Sequence, residues 1–416
     1  MLAPIKPAVQ RHRPDFWPAF LQHRMDAFYV TRWREEWGGK HIMRGPSPGK
    51  SDIQLVSNDY LAIANHPDIV RAQIEKLANT GDSVLMSGVF LDDSAPQHRL
   101  EKRLAEWAGY PEAILSQSGY AANVGLIQAV AEAGVPVYMD MRAHASLWEG
   151  VHSAGADIRP FRHNDLAHLR RMMKRHGQGL LCVDSVYSTM GSVCCLEEVV
   201  AVAEEFGCLI LVDESHSLGT HGPHGSGLVA ELGLTDRVHF MTASLAKAFA
   251  ARSGVIFCRK DFADYFWFTA RPAIFSSCLL PHEIAALDAT LSVVIRDDWR
   301  RDRLHENANR LRHGLDLLGY NVSDSQSQII ALEAGLEKDT LLLREALEQE
   351  GVFGSVFCAP ATAKKRSLLR LSVNAGLTRE EIDRVLEACA AVRHRVGMWD
   401  WPSTRRKHRE PHPVAC

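Results

Sequence analysis

Short apolar runs alternate with longer amphipathic stretches through the middle of the chain. The run 208–212 is apolar throughout and rich in Leu, Ile and Val, which is typical of a strand buried on both faces of a parallel sheet. The pattern predicts strands at 113–115, 157–160, 179–184, 208–212, 238–242 and 253–258, and helices at 68–78, 97–108, 166–176 and 196–206. Because strands and helices alternate, we expect an α/β fold with a mainly parallel sheet covered on both faces.

The last third of the chain follows a different pattern. A long helix is predicted from 281 to about 318, and a helix of that length commonly bridges two lobes. Three short strands follow, together with helices at 338–350 and 378–395, which predicts a small α+β domain. We therefore expect an N-terminal arm (1–50), a large domain (51–290), a small C-terminal domain that includes part of the N-terminal region (291–398) and a flexible tail (399–416).

The N-terminal arm carries aromatic residues at near-helical spacing. An amphipathic helix over 16–37 would place Phe16, Phe20, Phe28, Trp33 and Trp37 on one face. We interpret that face mainly as a core-packing stripe, while a role in a substrate tunnel or in partner binding stays open.

Composition and charge narrow the classes of function. The chain has 416 residues, of which 46% are hydrophobic, and a net charge of −3, so nothing calls for nucleic acid or an anionic membrane as a partner. No apolar run approaches the roughly 18 residues of a membrane span, and no signal region is evident, so we expect a cytoplasmic protein. The basic run RRKHR in the tail could touch RNA or lipid, but a solvated tail is the simpler interpretation. The nine cysteines form no CxxC pair, which favours buried thiols and predicts no metal site.

Candidate chemistry begins in the segment 208–247. Asp213 follows the strand 208–212, at the carboxyl end where open α/β sheets place their ligands. Lys247 follows the next predicted strand. A carboxylate and a lysine at neighbouring strand ends can hold the two ends of the ring of pyridoxal 5'-phosphate (PLP), with the lysine forming the Schiff base. Either residue alone would more simply be a helix cap or a surface charge.

Other residues extend this candidate site. The turn Ser118-Gly119-Tyr120 leads directly from a strand into a helix, where free backbone N–H groups favour a phosphate. His144, at the start of another helix, could stack on a flat cofactor or simply cap its helix. Ser185, just beyond a strand, can donate a hydrogen bond to a phenolate oxygen.

Arg370 lies in the apolar strand SLLRLSV near the end of the chain. A guanidinium there needs an anion, because an unpaired buried charge costs several kcal/mol or more. The planar fork of arginine suits bidentate binding of a substrate carboxylate. The alternative is a structural ion pair with a nearby Asp or Glu.

Taken together, these motifs resemble the α-oxoamine synthases, PLP enzymes of the aspartate-aminotransferase fold (PLP-dependent transferase fold type I). The similarity runs from about 55 to 392, and its most specific parts are VDESHSLGTHGPHGSG and the lysine motif SLAK. Within that family, SNDYLA, LSQSGYAANVGL, HASLWEG and GVFGSVFC look most like the quorum-sensing synthases of α-aminoketone or α-hydroxyketone autoinducers.

The resemblance implies a role for each matching position. Lys247 would be the Schiff-base lysine, Asp213 the partner of the ring nitrogen, His216 with Ser185 the contacts of the ring oxygen, and His144 the stacking residue. The phosphate would be bound by Gly119 and Tyr120 with Thr242 and Ser244, together with Ser276 and Ser277 from a second subunit, which implies a homodimer with shared sites. Arg370 would grip the carboxylate of the amino acid.

The resemblance also implies a reaction, a decarboxylative Claisen condensation between an amino acid and an acyl-CoA. The sequence departs from the glycine-using members at 86–89 and at Gln97, which puts glycine in doubt as the substrate. We expect a medium- or long-chain acyl-CoA and, as donor, a small alkyl amino acid or S-adenosylmethionine. The alternatives are a glycine-using synthase of the 8-amino-7-oxononanoate synthase or glycine C-acetyltransferase type, and a plain aminotransferase.

Overall fold

The computed structural model describes residues 17–79 and 85–407, which contain two β-sheets. The larger sheet has seven strands in the order β2-β8-β7-β6-β5-β3-β4, and β8 is antiparallel to both of its neighbours. Its strands are β2 (Glu112–Ser116), β3 (Pro136–Asp140), β4 (Asp157–Phe161), β5 (Leu180–Asp184), β6 (Leu209–Asp213), β7 (Phe240–Ser244) and β8 (Gly254–Cys258). The strands β3 to β7 run parallel to one another, as predicted.

The smaller sheet has four strands in the order β1-β10-β11-β9. They are β1 (Ile53–Leu55), β9 (Ile329–Gly335), β10 (Val352–Phe357) and β11 (Ser367–Ser372). The strand β1 pairs in parallel with β10, although the predicted boundary at 51 assigned it to the large domain. The domain boundaries themselves stay a prediction.

Helices surround both sheets. They are α1 (Ala19–Asp26), α2 (Pro67–Ala78), α3 (Pro96–Ala108), α4 (Gly119–Val130), α5 (Ala145–Ala154), α6 (Leu166–His176), α7 (Leu196–Glu205), α8 (Leu228–Glu231), α9 (Lys260–Thr269), α10 (Arg271–Ile274), α11 (Pro281–Arg296), α12 (Trp299–Leu317), α13 (Glu337–Gln349), α14 (Arg379–Val392) and α15 (Pro402–Lys407). No helix in the described ranges is long and apolar enough to cross a membrane.

The large sheet separates two hydrophobic cores. Leu211 of β6 packs into a core with Leu126 of α4, whereas its neighbours Ile210 and Val212 pack into the other core with Val199 of α7. Successive strand residues point to opposite faces, so both faces are covered. This confirms the apolar run as a strand buried on both sides.

The predicted long helix after 281 is in fact two helices, α11 and α12. Asp297 leaves the helical conformation between them, and its carboxylate accepts hydrogen bonds from the side chains of Arg296 and Arg300. A periodicity pattern does not reveal such a short break between two consecutive helices.

The prediction of a disordered tail is wrong for the residues up to 407. Trp401 is 3% exposed, contacts the ring of Tyr320, and donates from its indole to the carbonyl of Val396. Arg406 of α15 pairs with the buried Glu333 of β9 at 2.8 Å. The run RRKHR therefore begins in a packed helix, and residues 408–416 lie outside the described part of the chain.

The N-terminal arm is helical, with α1 continuing as a π-helix over Ala27–Glu36. Of the predicted aromatic face, Trp37 is buried and donates to Glu337 at 2.7 Å, but Phe20 is 74% exposed and Phe28 is also exposed. The core-packing interpretation is therefore wrong for these two phenylalanines. Phe16 lies outside the described residues.

Candidate active site

The carboxyl ends of three central strands carry the candidate site. The sheet register pairs Asp184 with Asp213, and Asp213 with Thr242, so these residues form one row across β5, β6 and β7. All three are buried. The topology therefore brings together residues that are far apart in the sequence, as expected for a parallel sheet.

A cavity of about 170 Å³ opens at this row. Its lining residues are Ser118, Gly119, Tyr120, Asn123, His144, Ser146, Asp184, Asp213, Ser215, His216, Ser244 and Lys247. Most of the predicted site residues are among them. Ser185, Thr242, Ser276, Ser277 and Arg370 are not.

One end of the cavity is formed by the turn into α4. The hydroxyl of Ser118 caps the helix by accepting a hydrogen bond from the backbone N–H of Ala121 at 3.1 Å. Gly119 packs directly on β7, where an added Cβ would lie 2.6 Å from the Cβ of Ser244. Only glycine permits this approach, which leaves the helix N-terminus facing the cavity with room for a phosphate.

Asp213 is held in a fixed orientation by two donors. Its Oδ2 accepts a hydrogen bond from the amide of Asn123 at 2.7 Å, and its Oδ1 accepts one from the backbone N–H of Ser215 at 2.9 Å. The remaining lone pairs are available to a protonated ring nitrogen in the cavity.

Asn123 connects several parts of the site and was missed by the sequence analysis. Its amide nitrogen also donates to Ser146 at 2.9 Å, and its amide oxygen accepts from the hydroxyl of Thr242 at 2.6 Å. This side chain is 1% exposed on an otherwise small and apolar face of α4. A buried polar side chain needs hydrogen-bond partners. The asparagine among small and apolar residues was therefore the sequence signal that could have placed Asn123 in the site.

His144 both caps its helix and lines the cavity. Its Nδ1 accepts a hydrogen bond from the backbone N–H of Ser146 at 3.3 Å, which leaves the imidazole ring facing the cavity. Its own backbone N–H donates to Asp184 at 3.1 Å. Burial, and then the neighbouring Asp213, raise the pKa of Asp184 well above its usual value. The capping and stacking interpretations of His144 are thus compatible.

His216 is buried and hydrogen-bonded to a residue from outside the large sheet. Its Nδ1 lies 2.7 Å from the hydroxyl of Tyr60, a contact that the sequence analysis did not find. Burial, together with the positive charges of Lys247 and Arg370, lowers the pKa of His216 well below its usual value. The imidazole is therefore neutral near pH 7.

Lys247 follows β7 and is half-buried in the cavity wall. Burial lowers the pKa of its amine, and the charge of Arg370 lowers it further, whereas Asp213 raises it. A lysine with a lowered pKa is a better nucleophile and base near neutral pH than a solvated one.

Arg370 is 4% exposed, and no carboxylate of the described residues forms an ion pair with it. Its guanidinium donates to the carbonyl of Ser188 and to the side chain of Asn58, both at 2.8 Å, and lies 4.6 Å from the ring of Phe357. Its Nε has no hydrogen-bond partner. Within the described chain, the structural Asp or Glu partner that we considered is absent, and the guanidinium retains the capacity to bind an anion.

The remaining predicted residues lie near the cavity but not on its surface. Ser185 is fully buried. Its hydroxyl lies within hydrogen-bond distance of the carbonyl of Asp213, at 3.2 Å, and of the hydroxyl of Ser217, at 2.5 Å. The carbonyl of Ser277 accepts a hydrogen bond from Gln117 at 2.7 Å, and Ser276 donates to the carbonyl of Pro272. The predicted roles of these serines in cofactor binding stay predictions.

The arrangement fits PLP, with a glycine-permitted phosphate end, an oriented carboxylate for the ring nitrogen, an imidazole at the cavity wall, and a lysine. Comparison with known proteins agrees, since residues 50–389 match the family model for aminotransferase class I and II. The chain is 45% identical over 372 residues to the CAI-1 autoinducer synthase of Vibrio campbellii, covering 89% of this chain and 94% of that protein.

The chain is also similar, at lower identity, to two other kinds of synthase and transferase. The 8-amino-7-oxononanoate synthase of Sodalis glossinidius is 32% identical over 373 residues, covering 89% of this chain and 95% of that protein. A solved structure of the serine palmitoyltransferase of S. paucimobilis, with bound PLP and myriocin, has a TM-score of 0.84 and 27% identity, covering 91% of this chain and 99% of that one.

Fold and site together define a PLP-dependent transferase of fold type I. The chain belongs to the aminotransferase class I and II family and, within it, to the α-oxoamine synthases, which are acyltransferases. The predicted fold class, family, enzyme class and cofactor are thereby confirmed.

Proposed function

We propose that this enzyme condenses an amino acid with a medium- or long-chain acyl-CoA, with loss of the amino-acid carboxylate, to form an α-aminoketone that is the precursor of a quorum-sensing autoinducer. The buried guanidinium of Arg370, which has no carboxylate partner in the described chain and an Nε without a hydrogen-bond partner, carries the amino-acid part of the proposal. The 45% identity to a CAI-1 autoinducer synthase supports the class of product.

In this proposal each side chain around the cavity has a separate role. PLP, when bound through Lys247, supplies an electron-withdrawing ring that makes the Cα proton of the amino acid acidic. Asp213, oriented by Asn123, holds a proton at the ring nitrogen. Arg370 binds the amino-acid carboxylate, and the amine of Lys247 takes the Cα proton. The imidazole of His144, which lines the cavity, would stack on the cofactor ring and help to hold it in place.

A small alkyl amino acid or S-adenosylmethionine is our proposed donor. The support comes from two positions that differ from the glycine-using members, the segment 86–89 and Gln97. Gln97 is 4% exposed and donates to Glu101 at 3.0 Å. Ser87 donates to the carbonyl of Ile274 at 2.8 Å, so the segment 86–89 contacts the region that contains Ser276.

The working unit in this proposal is a homodimer with shared active sites. Ser276 and Ser277 do not line the cavity of their own chain, which is compatible with a contact to the cofactor phosphate in the second subunit. A glycine-using synthase remains the second candidate, because the 8-amino-7-oxononanoate synthases are also similar to this chain.

A product panel tests the proposal. The purified holoenzyme is incubated with glycine, alanine, serine, other small alkyl amino acids or S-adenosylmethionine, each with acyl-CoAs of increasing length, and products are identified by mass while CoA release is measured. We expect aminoketones only with the larger donors and the longer acyl chains, and no product from Lys247→Ala. Activity with glycine alone would favour the second candidate, and amino transfer without CoA release would identify an aminotransferase.

A further inference from the structure

Tyr60 is a buried tyrosine that touches the wall of the PLP cavity from behind. It is 0% exposed and follows β1 of the smaller sheet, where its backbone carbonyl accepts a hydrogen bond from the N–H of Ala375 at 2.8 Å. Its hydroxyl lies 2.7 Å from Nδ1 of His216, which lines the cavity, whereas Tyr60 does not. Tyr60 therefore contacts a residue of the cavity wall and not the cavity itself.

The phenolic proton of Tyr60 has two acceptors within reach, and the distances favour His216. The side-chain oxygen of Asn58 lies 3.3 Å from the hydroxyl, beyond the roughly 2.5–3.0 Å that is usual for an O–H···O bond, and it already accepts a hydrogen bond from Arg370 at 2.8 Å. Burial raises the pKa of Tyr60 to about 12, although the charge of Arg370 opposes this shift, so the hydroxyl is protonated at neutral pH. The hydroxyl therefore donates to Nδ1 of His216.

This hydrogen bond decides which ring nitrogen of His216 carries the proton. Burial, together with the positive charges of Lys247 and Arg370, keeps the imidazole neutral, so it carries a single ring proton. Because Nδ1 accepts from Tyr60, that proton lies on Nε2. No group of the described chain forms a hydrogen bond with Nε2, so the Nε2–H is a donor available to a ligand in the cavity.

The backbone of His216 is held separately from its ring. Its carbonyl accepts hydrogen bonds from the side chain of Gln328 at 2.7 Å and from the hydroxyl of Thr220 at 3.2 Å. Gln328 is 0% exposed and directly precedes β9 of the smaller sheet. Removal of the Tyr60 hydroxyl would therefore leave these backbone contacts in place and change only the hydrogen bonding of the imidazole.

We propose that Tyr60 is a positioning residue that sets the tautomer of His216, so that the Nε2–H of His216 donates to the phenolic oxygen of the bound cofactor. The inference rests on the predicted contact of His216 with that oxygen, and it deepens the proposed function by assigning a further residue to the same site. A donor at the oxygen draws negative charge away from the proton that the oxygen shares with the nitrogen of Lys247, which makes that proton easier to lose.

The pH dependence of the cofactor absorption spectrum, measured on the holoenzyme without substrates, tests the inference. Tyr60→Phe keeps the ring and removes the hydroxyl, so the pH of the spectral transition should rise by about one unit, roughly a tenfold change in proton affinity. Tyr320→Phe is the matched control, because Tyr320 is 1% exposed and its hydroxyl donates to the carbonyl of Cys389 at 2.9 Å, away from the cavity. It should leave the transition unchanged.

A second variant shows whether the effect passes through His216. His216→Leu removes the imidazole and should raise the transition at least as much as Tyr60→Phe. In the His216→Leu background, Tyr60→Phe should add no further shift, because no imidazole remains for the hydroxyl to orient. The tautomer is also measured in the unaltered protein by NMR of ¹⁵N-labelled histidine, where the signals lost in His216→Leu should show Nδ1 as the unprotonated nitrogen.

The outcomes separate the two proposals. A transition that is unchanged in Tyr60→Phe or in His216→Leu, an equal shift in Tyr320→Phe, additive shifts in the double variant, or a proton on Nδ1 of His216 would overturn the role of Tyr60. The expected shifts in an enzyme that forms no condensation product with any donor would instead support the role of Tyr60 and overturn the proposed function.

Discussion

Asn123 offers a sharp test of how the PLP site is organised, because one buried amide contacts three parts of it. The change Asn123→Ala removes the hydrogen bonds to Asp213, Ser146 and Thr242, at 2.7, 2.9 and 2.6 Å. Of the two donors that orient Asp213 in the wild type, the variant keeps only the backbone N–H of Ser215. The carboxylate then becomes free to turn away from the ring nitrogen.

The magnitude follows from the chemistry of these bonds. A hydrogen bond to a charged group contributes about 1.5–3 kcal/mol and one between neutral groups about 1 kcal/mol, and unsatisfied buried partners add to the loss. If about 2–3 kcal/mol of this total supports the transition state through Asp213, kcat falls by roughly 30- to 150-fold. The KM for the amino acid should change little, since none of the three hydrogen bonds of the amide goes to Arg370.

Steady-state kinetics and the pH dependence of the cofactor absorption spectrum are the measurements. Gln128→Ala is the control, because Gln128 also lies on α4 and donates to a serine of α5, Ser153, at 3.1 Å, but does not line the cavity. Asn123→Asp tests the chemistry, since it keeps the shape but replaces the donor with an acceptor beside Asp213. We expect it to be at least as inactive as Asn123→Ala.

Three results would refute this reasoning. The first is a kcat for Asn123→Ala within about threefold of wild type, with an unchanged cofactor spectrum. The second is near-wild-type activity for Asn123→Asp, and the third is a loss of kcat in Gln128→Ala as large as that in Asn123→Ala. The second would show that the side chain acts through its volume, and the third that any gap between α4 and α5 has the same effect.

The other predictions concern binding, pH and folding. Arg370→Lys keeps the charge but removes the bidentate fork, so the KM for the amino acid should rise about tenfold while the KM for acyl-CoA stays unchanged in steady-state kinetics; equal increases in both would contradict a carboxylate contact. Burial raises the pKa of Glu214 to about 7, so its contribution to stability is present at low pH and is lost as the pH rises from the unfolded value near 4.5 to about 7. The unfolding free energy of Glu214→Gln relative to wild type should therefore increase by roughly 2–3 kcal/mol between pH 5 and pH 8 in denaturant titrations, and a flat difference would refute the raised pKa. Trp401→Ala should lower the unfolding free energy by about 3–5 kcal/mol, since the indole is buried, whereas a change below about 1 kcal/mol would indicate a dispensable C-terminal helix.

Much of the fold and part of the site could be predicted from local patterns. Apolar runs showed which strands are buried, and the alternation with helices indicated the parallel sheet, because both signals depend only on neighbouring residues. Asp213 and Lys247 were recognisable because the carboxyl ends of parallel strands meet at one edge. Gly119 was recognisable because the turn 118–120 leads directly from a strand into a helix, where free backbone N–H groups favour a phosphate.

Other features depended on which distant segments come together. Local periodicity does not specify that β1 pairs with β10, that Tyr60 contacts His216, or that Trp401 is buried against Tyr320. The sequence by itself determined the class of sheet, the cofactor chemistry and the residues at the strand ends. Only the tertiary structure decided that Asn123 orients Asp213 and that Arg370 is buried without a carboxylate partner in the described chain, because each depends on the distance between side chains from separate elements.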